Sequence, residues 1–202
     1  MVQTTPINQP DNDNLKILES QIRACFGRVV FTHKTHEKCS DIYAEQLKTL
    51  KVSEITLSAL TTTSLLTSIF GDQKIGTIIG AILSTIILGI TIYTKDCDLG
   101  KLSKSHADVA NKLWNIRESY ISLIAEIKAN TLTVEQIKQK RDELQKSLHI
   151  VYQDAPRTNA KAYERASKSL NKNSQINQGE EMTFSDKEID RFLPNDLRRN
   201  KT

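Results

Sequence analysis

A run of twenty residues without a charged side chain constrains this chain more than any other feature of its sequence. It extends from Ile75 to Thr94 and reads IGTIIGAILSTIILGITIYT. At ~1.5 Å rise per residue, a helix of this length spans ~30 Å, the thickness of the hydrocarbon core of a bilayer. The run also lacks the charged face that a surface helix of a soluble protein presents to water. We therefore predict a transmembrane helix over 75–94.

A second uncharged window precedes this run. Residues 55–70 read ITLSALTTTSLLTSIF, which is shorter and rich in hydroxyl groups, so this window is a marginal span by itself. Only residues 71–74 separate the two windows, and a connection this short makes two helices run antiparallel. The sequence therefore predicts a transmembrane hairpin with spans 55–70 and 75–94 and a turn over 71–74. The competing interpretation is a soluble protein in which a helical hairpin is buried.

Basic residues on both sides of the hairpin predict its orientation. Lysines flank it at positions 38, 48 and 51 and again at 95, 101, 104 and 112, whereas the turn contains only Lys74. By the positive-inside rule, both termini are expected in the cytoplasm. Residues 1–14 lack the pattern of a secretory signal, so we expect the hairpin to direct its own insertion. Cys25, Cys39 and Cys97 then lie on the reducing side of the membrane and are interpreted as structural thiols.

The flanking regions show helical spacing of apolar residues and predict an all-α protein, with a cytoplasmic helical bundle attached to the hairpin. Capping boxes are predicted at Thr133 with Gln136 and at Ser185 with Glu188. A break in the first long helix is predicted near Gly27. The predicted organisation is a disordered tail (1–14), a cytoplasmic helix leading into the membrane (15–54), the hairpin (55–94), a cytoplasmic helical region (95–170), a linker (171–184) and a C-terminal short helix with a tail (185–202).

Small and hydroxyl-bearing residues form a face on each span. Such faces allow close packing of helices, and in an assembly of several copies they can instead line an aqueous path. Both interpretations remain open from the sequence, although faces too wide for one mutual contact favour homo-oligomers. The candidate helix-packing or pore-lining residues are Thr56, Thr61, Thr63, Ser64, Thr67, Ser68, Gly76, Gly80 and Ser84.

No motif for catalysis, phosphate binding or metal binding is recognisable in the sequence. The nearest approach to a metal site is His33, His36 and Cys39, but their spacing allows only two of the three to share a helix face, and a full zinc site needs more ligands. We therefore predict no catalytic residue, no cofactor and no metal, and we expect that the protein is not an enzyme. The formal net charge of +4 is spread along the chain, which favours contact with lipid headgroups over nucleic-acid binding.

Four stretches of the sequence resemble the SLATT family of two-transmembrane effector domains. They are THKTHEKCSDIY before the first span, NKLWNIRESYISLIAEIK after the second, and APRTNAKAYERASKSL and EIDRFLPNDLR towards the end. The resemblance extends from about Leu15 to Arg198. Because the family has no catalytic residues, none is carried over to this chain.

The resemblance implies an effector of a bacterial anti-phage or nucleotide-signalling conflict system. Such an effector oligomerises and permeabilises the inner membrane on activation, which causes growth arrest or cell death. The implied partners are membrane lipids, further copies of the chain, and a sensor or a protein that produces a nucleotide signal. The alternative is a membrane-anchored helical scaffold that recruits a partner enzyme without forming a pore.

Overall fold

A computed structural model of the chain describes residues 9–71, 73–170 and 183–199. These residues contain helices and no strand, so the prediction of an all-α class is confirmed. They form two units, one containing the described residues up to Lys38 and from His106 onward, the other containing residues 39–105. The helices are α1 (Gln9–Phe70), α2 (Gln73–Cys97), α3 (Leu99–Lys128), α4 (Val134–Gln153), α5 (Ala160–Ser169) and α6 (Asp186–Asp190), followed by a 3-10 turn (Asn195–Leu197).

Helix α1 differs from the predicted first helix at two places. It begins at Gln9, within the predicted tail, where Pro10 is tolerated because the first residues of a helix have no intrahelical partner for their N–H groups. It also continues through Gly27, where a break was predicted. A Cβ at Gly27 would lie 3.0 Å from Cγ of Phe184, so the glycine instead permits close approach of residues 183–199, which we call the C-terminal segment. Residues 1–8 lie outside the described part of the chain.

The hydrophobic core of the first unit forms where helical stripes from four parts of the chain meet. Ile22 and Phe26 of α1 are fully buried together with Leu113 of α3 and Ile137 of α4. Burying a side chain of this size contributes roughly 1.5–3 kcal/mol of transfer free energy, so each of these positions stabilises the packing of the unit. The C-terminal segment adds Ile189 and Leu193, each 2% exposed.

Two helix starts follow the chemistry predicted from the sequence. Thr133 and Gln136 form a capping box in which the threonine hydroxyl accepts the Gln136 backbone N–H and the glutamine side chain accepts the Thr133 N–H. Ser185 and Glu188 form the same arrangement at the start of α6. Both predicted capping boxes are therefore confirmed.

The second unit contains the end of α1, all of α2 and the start of α3. The structure separates α2 from α3 at Asp98. Its φ of 33° is in the left-handed region, which aspartate tolerates better than most residues. The Asp98 carboxylate accepts the Lys101 N–H at 3.1 Å, so it caps the new helix.

Candidate functional site

Helix α2 packs antiparallel against the last part of α1. Near the connection, Gly76 faces Ser64 and Ser68, and four residues further along α2 Gly80 faces Ser64. At the far end of α2, the Thr91 hydroxyl donates to Oε1 of Glu54 at 2.5 Å. The described contacts therefore join progressively later residues of α2 to earlier residues of α1.

The contact between α1 and α2 depends on small residues. A Cβ at position 76 would lie 2.6 Å from the backbone carbonyl oxygen of Ser64 and would also overlap Oγ of Ser68. A Cβ at Gly80 would lie 3.0 Å from Oγ of Ser64. Close approach of helix backbones through small residues is the usual basis of helix association in lipid. We call Ser64, Ser68, Gly76 and Gly80 the small-residue seam.

The hydroxyl groups of this region bond mainly to the backbone of their own helix. Thr63 donates to the carbonyl of Ala59 at 3.0 Å, and Ser64 donates to the carbonyl of Thr61 at 2.8 Å. In an apolar medium an unpaired hydroxyl costs several kcal/mol, so this bonding removes most of the cost of placing hydroxyls in lipid. The same pattern holds for Thr56, Ser58, Thr61, Thr62, Thr67 and Ser68.

The structure divides the candidate residues predicted from the sequence into two groups. Five lie at least partly covered where α1 and α2 meet: Thr61, Ser64, Ser68, Gly76 and Gly80. Four are exposed: Thr56, Thr63, Thr67 and Ser84.

Three of the exposed hydroxyl residues form a line along α1. At ~100° per residue, Thr56, Thr63 and Thr67 fall within about 40° of one another around the helix axis. We call these three residues the outer hydroxyl stripe. The packing of α2 against α1 leaves this stripe uncovered.

Large apolar side chains cover much of the remaining surface of these helices. Phe70 is 87% exposed, and Ile55 and Ile69 are each about 70% exposed. Most of the exposed large apolar side chains among the described residues lie between Val52 and Tyr93. Soluble monomers rarely expose contiguous apolar surface of this extent, so this surface indicates burial against lipid or protein.

By length and composition, one helical stretch among the described residues is apolar enough to cross a membrane. It extends from Lys74 to Lys128 and includes α2. Only 11% of its most apolar window of 18 residues is buried, whereas the core helix of a soluble protein would be mostly covered. The predicted first span, at the end of α1, does not reach the same apolarity because of its hydroxyl groups.

A pair of buried histidines in the first unit was not predicted. Nδ1 of His36 lies 3.0 Å from Nδ1 of His106, so one ring donates a hydrogen bond to the other. Burial, followed by the nearby His106 and His33, lowers the pKa of His36 to about 4, and burial also lowers the pKa of His106. The two residues are 70 positions apart, so helical spacing gives no signal for their contact.

The histidines show no arrangement for a metal ion. Nε2 of His33 lies 3.8 Å from a carboxylate oxygen of Glu37, and burial lowers the pKa of His33 although Glu37 opposes the shift. Within the described ranges, no group of three or more His, Cys, Asp and Glu residues is placed to hold a metal. These histidines therefore contribute polar contacts inside the first unit.

Comparison with known proteins identifies the family of the chain. Residues 18–188 match the family described as SMODS and SLOG-associating 2TM effector domain family 4. No curated protein and no solved structure matches the chain significantly. The match covers most of the chain and includes both predicted spans, so the resemblance to SLATT proteins is confirmed.

Membership in this family indicates what kind of protein the chain is. The family implies a two-transmembrane effector of conflict and anti-phage systems that is associated with SMODS and SLOG nucleotide signalling. It is not a known enzyme family. The family and the apolar helix together indicate a membrane protein. The chain therefore belongs to SMODS and SLOG-associating 2TM effector domain family 4, one of the SLATT families.

Proposed function

We propose that this protein is a multi-pass effector of the bacterial inner membrane that oligomerises and permeabilises the membrane when a partner activates it, causing growth arrest or cell death. In this proposal, residues 55–70 and 75–94 both span the bilayer and both termini are cytoplasmic. The observation that carries the proposal is that the outer hydroxyl stripe of α1 occurs beside an exposed apolar surface formed by α1 and α2. Lipid accommodates the apolar surface, but it offers no donor to the hydroxyl oxygens of the stripe, which remain able to accept a hydrogen bond.

Insertion of the hydroxyl-rich first span is supported by its hydrogen bonds. Each hydroxyl bonded to a carbonyl three or four residues earlier is satisfied without water or a neighbouring chain. The antiparallel contact with α2 supplies a second, more apolar helix for joint insertion. Lysines outside the spans favour the orientation with cytoplasmic termini.

Assembly of several copies is supported by a surface of the hairpin that makes no contact within one chain. The small-residue seam is occupied within one chain, because Gly76 and Gly80 already face Ser64 and Ser68. The outer hydroxyl stripe has no such contact within its own hairpin. In an assembly of several copies, Thr56, Thr63 and Thr67 can face neighbouring helices or a water-filled path, where each hydroxyl oxygen can accept a hydrogen bond in addition to the one that it donates.

Activation is proposed to come from a partner, in line with the association of the family with SMODS and SLOG proteins. The partner is a sensor or a producer of a nucleotide signal. The proposed activity follows from assembly in the lipid and needs no catalytic residue, cofactor or nucleic acid.

Membrane potential in living bacteria tests the proposal directly. The chain is expressed with its genomic neighbours under phage challenge, and a voltage-sensitive dye reports the potential. Depolarisation that depends on both the chain and the challenge is expected. An unchanged potential, with the protein present in the membrane fraction, would contradict permeabilisation and favour the membrane-anchored scaffold.

A matched pair of variants tests the outer hydroxyl stripe. Thr62 and Thr63 are adjacent, both exposed, and each donates to a backbone carbonyl at 3.0 Å, but they point about 100° apart. Thr63→Val, alone and combined with Thr56→Val and Thr67→Val, is expected to reduce depolarisation severalfold. Thr62→Val is expected to retain it. Equal effects of the two single substitutions would count against the stripe as the conducting or packing face.

Topology and insertion are tested separately from activity. Extraction of membranes with alkaline carbonate should leave the chain in the pellet, whereas release into the supernatant would support the buried hairpin of a soluble protein. Reporter fusions at each terminus should be active for a cytoplasmic reporter and silent for a periplasmic one. The opposite pattern at either terminus would overturn the two-span topology.

A further inference from the structure

We propose that the first unit binds a small phosphate-bearing molecule of about nucleotide size in a cleft formed by the start of α1, the end of α3 and the C-terminal segment. The cleft has a volume of about 440 Å³. Four basic residues line it, with a single acidic residue, Glu19. We call it the basic cleft, and its basic residues are Lys16, Lys128, Arg198 and Arg199.

Two of the basic residues carry charge that nothing in the described ranges neutralises. Nζ of Lys128 donates to the backbone carbonyl of Arg198 at 3.1 Å, and Nε of Arg198 donates to the backbone carbonyl of Leu193 at 3.0 Å. Both acceptors are neutral. Both cations line the same cleft, so an anion bound in it is attracted by both.

The other two basic residues are already paired to different degrees. Arg199 bonds Glu19 and Asp186, each at 3.1 Å. Lys16 lies 3.5 Å from Asp13, but both side chains are largely exposed, so that pair is weak. Four basic side chains against the carboxylates of Glu19, Asp186 and Asp13 leave the cleft with a net positive charge of about one.

The floor of the cleft is apolar. Ile124 and Ile127 are buried beneath it, and Leu15 and Leu197 line it as partly covered side chains. A few convergent polar groups above an apolar floor, in a volume of this size, are typical of a site for a small molecule. Asn130, with a left-handed φ of 53°, adds an uncharged amide at the rim.

The chemistry of these groups selects the class of ligand. Lysine and arginine together bind phosphate through charge-assisted hydrogen bonds, and the guanidinium group matches the geometry of two phosphate oxygens. The apolar floor suits a ring or a short hydrocarbon attached to the phosphate. A nucleoside phosphate and a phospholipid headgroup share this phosphate chemistry. Binding of either kind does not depend on whether the hairpin permeabilises membranes.

Calorimetric titration of the full chain in phosphatidylcholine nanodiscs tests the site. The probes are adenosine 5′-monophosphate, inorganic phosphate and uncharged adenosine. Saturable binding is expected for the nucleotide, weaker binding for phosphate, and none for adenosine. Affinity for the nucleotide should fall as salt rises, because the interaction is between charges near the surface.

Substitutions locate the binding within the chain. Lys128→Gln keeps a donor for the Arg198 carbonyl but removes the charge, so the fold is expected to persist while affinity falls about tenfold. Arg198→Gln should have an effect of similar size. Lys146→Gln on α4 removes the same charge from an exposed residue outside the cleft, and it should change nothing. Circular dichroism of each variant checks that the helices remain.

A lipid exchange distinguishes the two sources of phosphate. If nucleotide affinity is the same in nanodiscs containing phosphatidylglycerol, the cleft takes a free nucleotide; if the anionic lipid abolishes nucleotide binding, the cleft takes a headgroup. Either result supports a phosphate site. The proposal is overturned if no phosphate probe binds saturably at millimolar concentration, or if Lys128→Gln and Lys146→Gln bind the nucleotide equally well.

Discussion

The backbone carbonyl of Ser64 lies where any side chain at position 76 would begin. A Cβ placed on Gly76 would approach that oxygen to 2.6 Å, which is closer than two such atoms are found in proteins. The carbonyl belongs to a helix backbone, so it cannot move aside as the end of a flexible side chain would. The packing of α2 against α1 therefore depends on glycine at this position.

We expect Gly76→Ala to weaken the contact between α1 and α2 by about 1–3 kcal/mol, the range for overpacking a close contact. Thermal unfolding of the full chain in detergent, followed by circular dichroism, measures the change. Gly89→Ala is the matched control, because a Cβ at Gly89 meets nothing within 4 Å and the intrinsic helix preference changes equally. If both variants unfold at the same temperature, the seam does not limit stability.

The ion pair between Arg23 and Asp190 holds the C-terminal segment on α1. Arg23 is 1% exposed, its Nη2 bonds the Asp190 carboxylate, and its Nη1 donates to the Leu197 carbonyl at 3.2 Å. Asp190→Ala should cost about 3–5 kcal/mol because it removes the buried, hydrogen-bonded anion of Arg23 and leaves the guanidinium only Asp186, which is half-exposed and lies 3.6 Å from Nε. Urea unfolding measures the loss, and limited proteolysis should detect release of residues 183–199.

A compensating variant separates charge from packing at the same place. Arg23→Met with Asp190→Leu removes both charges and fills the space with apolar atoms, so it should be less destabilising than Asp190→Ala alone. If the double variant has the lower free energy of unfolding, the cost of Asp190→Ala does not come from the buried charge.

The His36–His106 pair predicts that the first unit loses stability in acid. The pKa of His36 is about 4 in the folded chain and about 6.5 in the unfolded chain, so the unfolded state takes up the proton first as pH falls. The contribution of neutral His36 is therefore complete above pH 6.5 and is lost progressively down to about pH 4. The loss is of the order of 3 kcal/mol.

Melting temperatures of the full chain in detergent between pH 4 and pH 7.5 measure this dependence. His36→Gln should make the curve less steep in that interval, since glutamine has no proton to take up, whereas His33 and His106, whose pKa values burial also lowers, keep part of the dependence. His149→Gln changes an exposed histidine on α4 and should leave the curve of the native chain unaltered. An equally steep curve in His36→Gln would assign the acid sensitivity to other groups.

Gly27 and Phe184 form a further close contact. A Cβ at position 27 would lie 3.0 Å from Cγ and 3.1 Å from Cδ2 of the phenylalanine ring. Gly27→Val should therefore loosen the C-terminal segment, and amide hydrogen exchange of residues 183–199 should become faster. Adding Phe184→Leu, which removes the ring, should restore part of the protection. If Gly27→Val leaves the exchange rates of residues 183–199 unchanged, the Phe184 ring can move aside without destabilising the segment.

Features that depend on residues close together along the chain could be predicted from the sequence. The absence of charge over residues 75–94 depends on composition, and the capping boxes at Thr133 and Ser185 join residues only three positions apart. The all-α class follows from helical spacing over most of the chain. The family resemblance follows from contiguous stretches, which is why the match to residues 18–188 confirmed it.

Tertiary structure decided which of the small and polar residues meet. Helical spacing placed Thr63 and Ser64 on the same face, but packing of α2 covers Ser64 and leaves Thr63 exposed. A helix break was predicted near Gly27 because glycine weakens helices. In the structure the helix continues, and the space beside the glycine is occupied by Phe184, more than 150 positions later in the chain. The contacts of His36 with His106 and of Arg23 with Asp190 likewise join distant positions. A single sequence determines local conformation and apolar faces, whereas the choice of partner depends on packing geometry that only the folded chain defines.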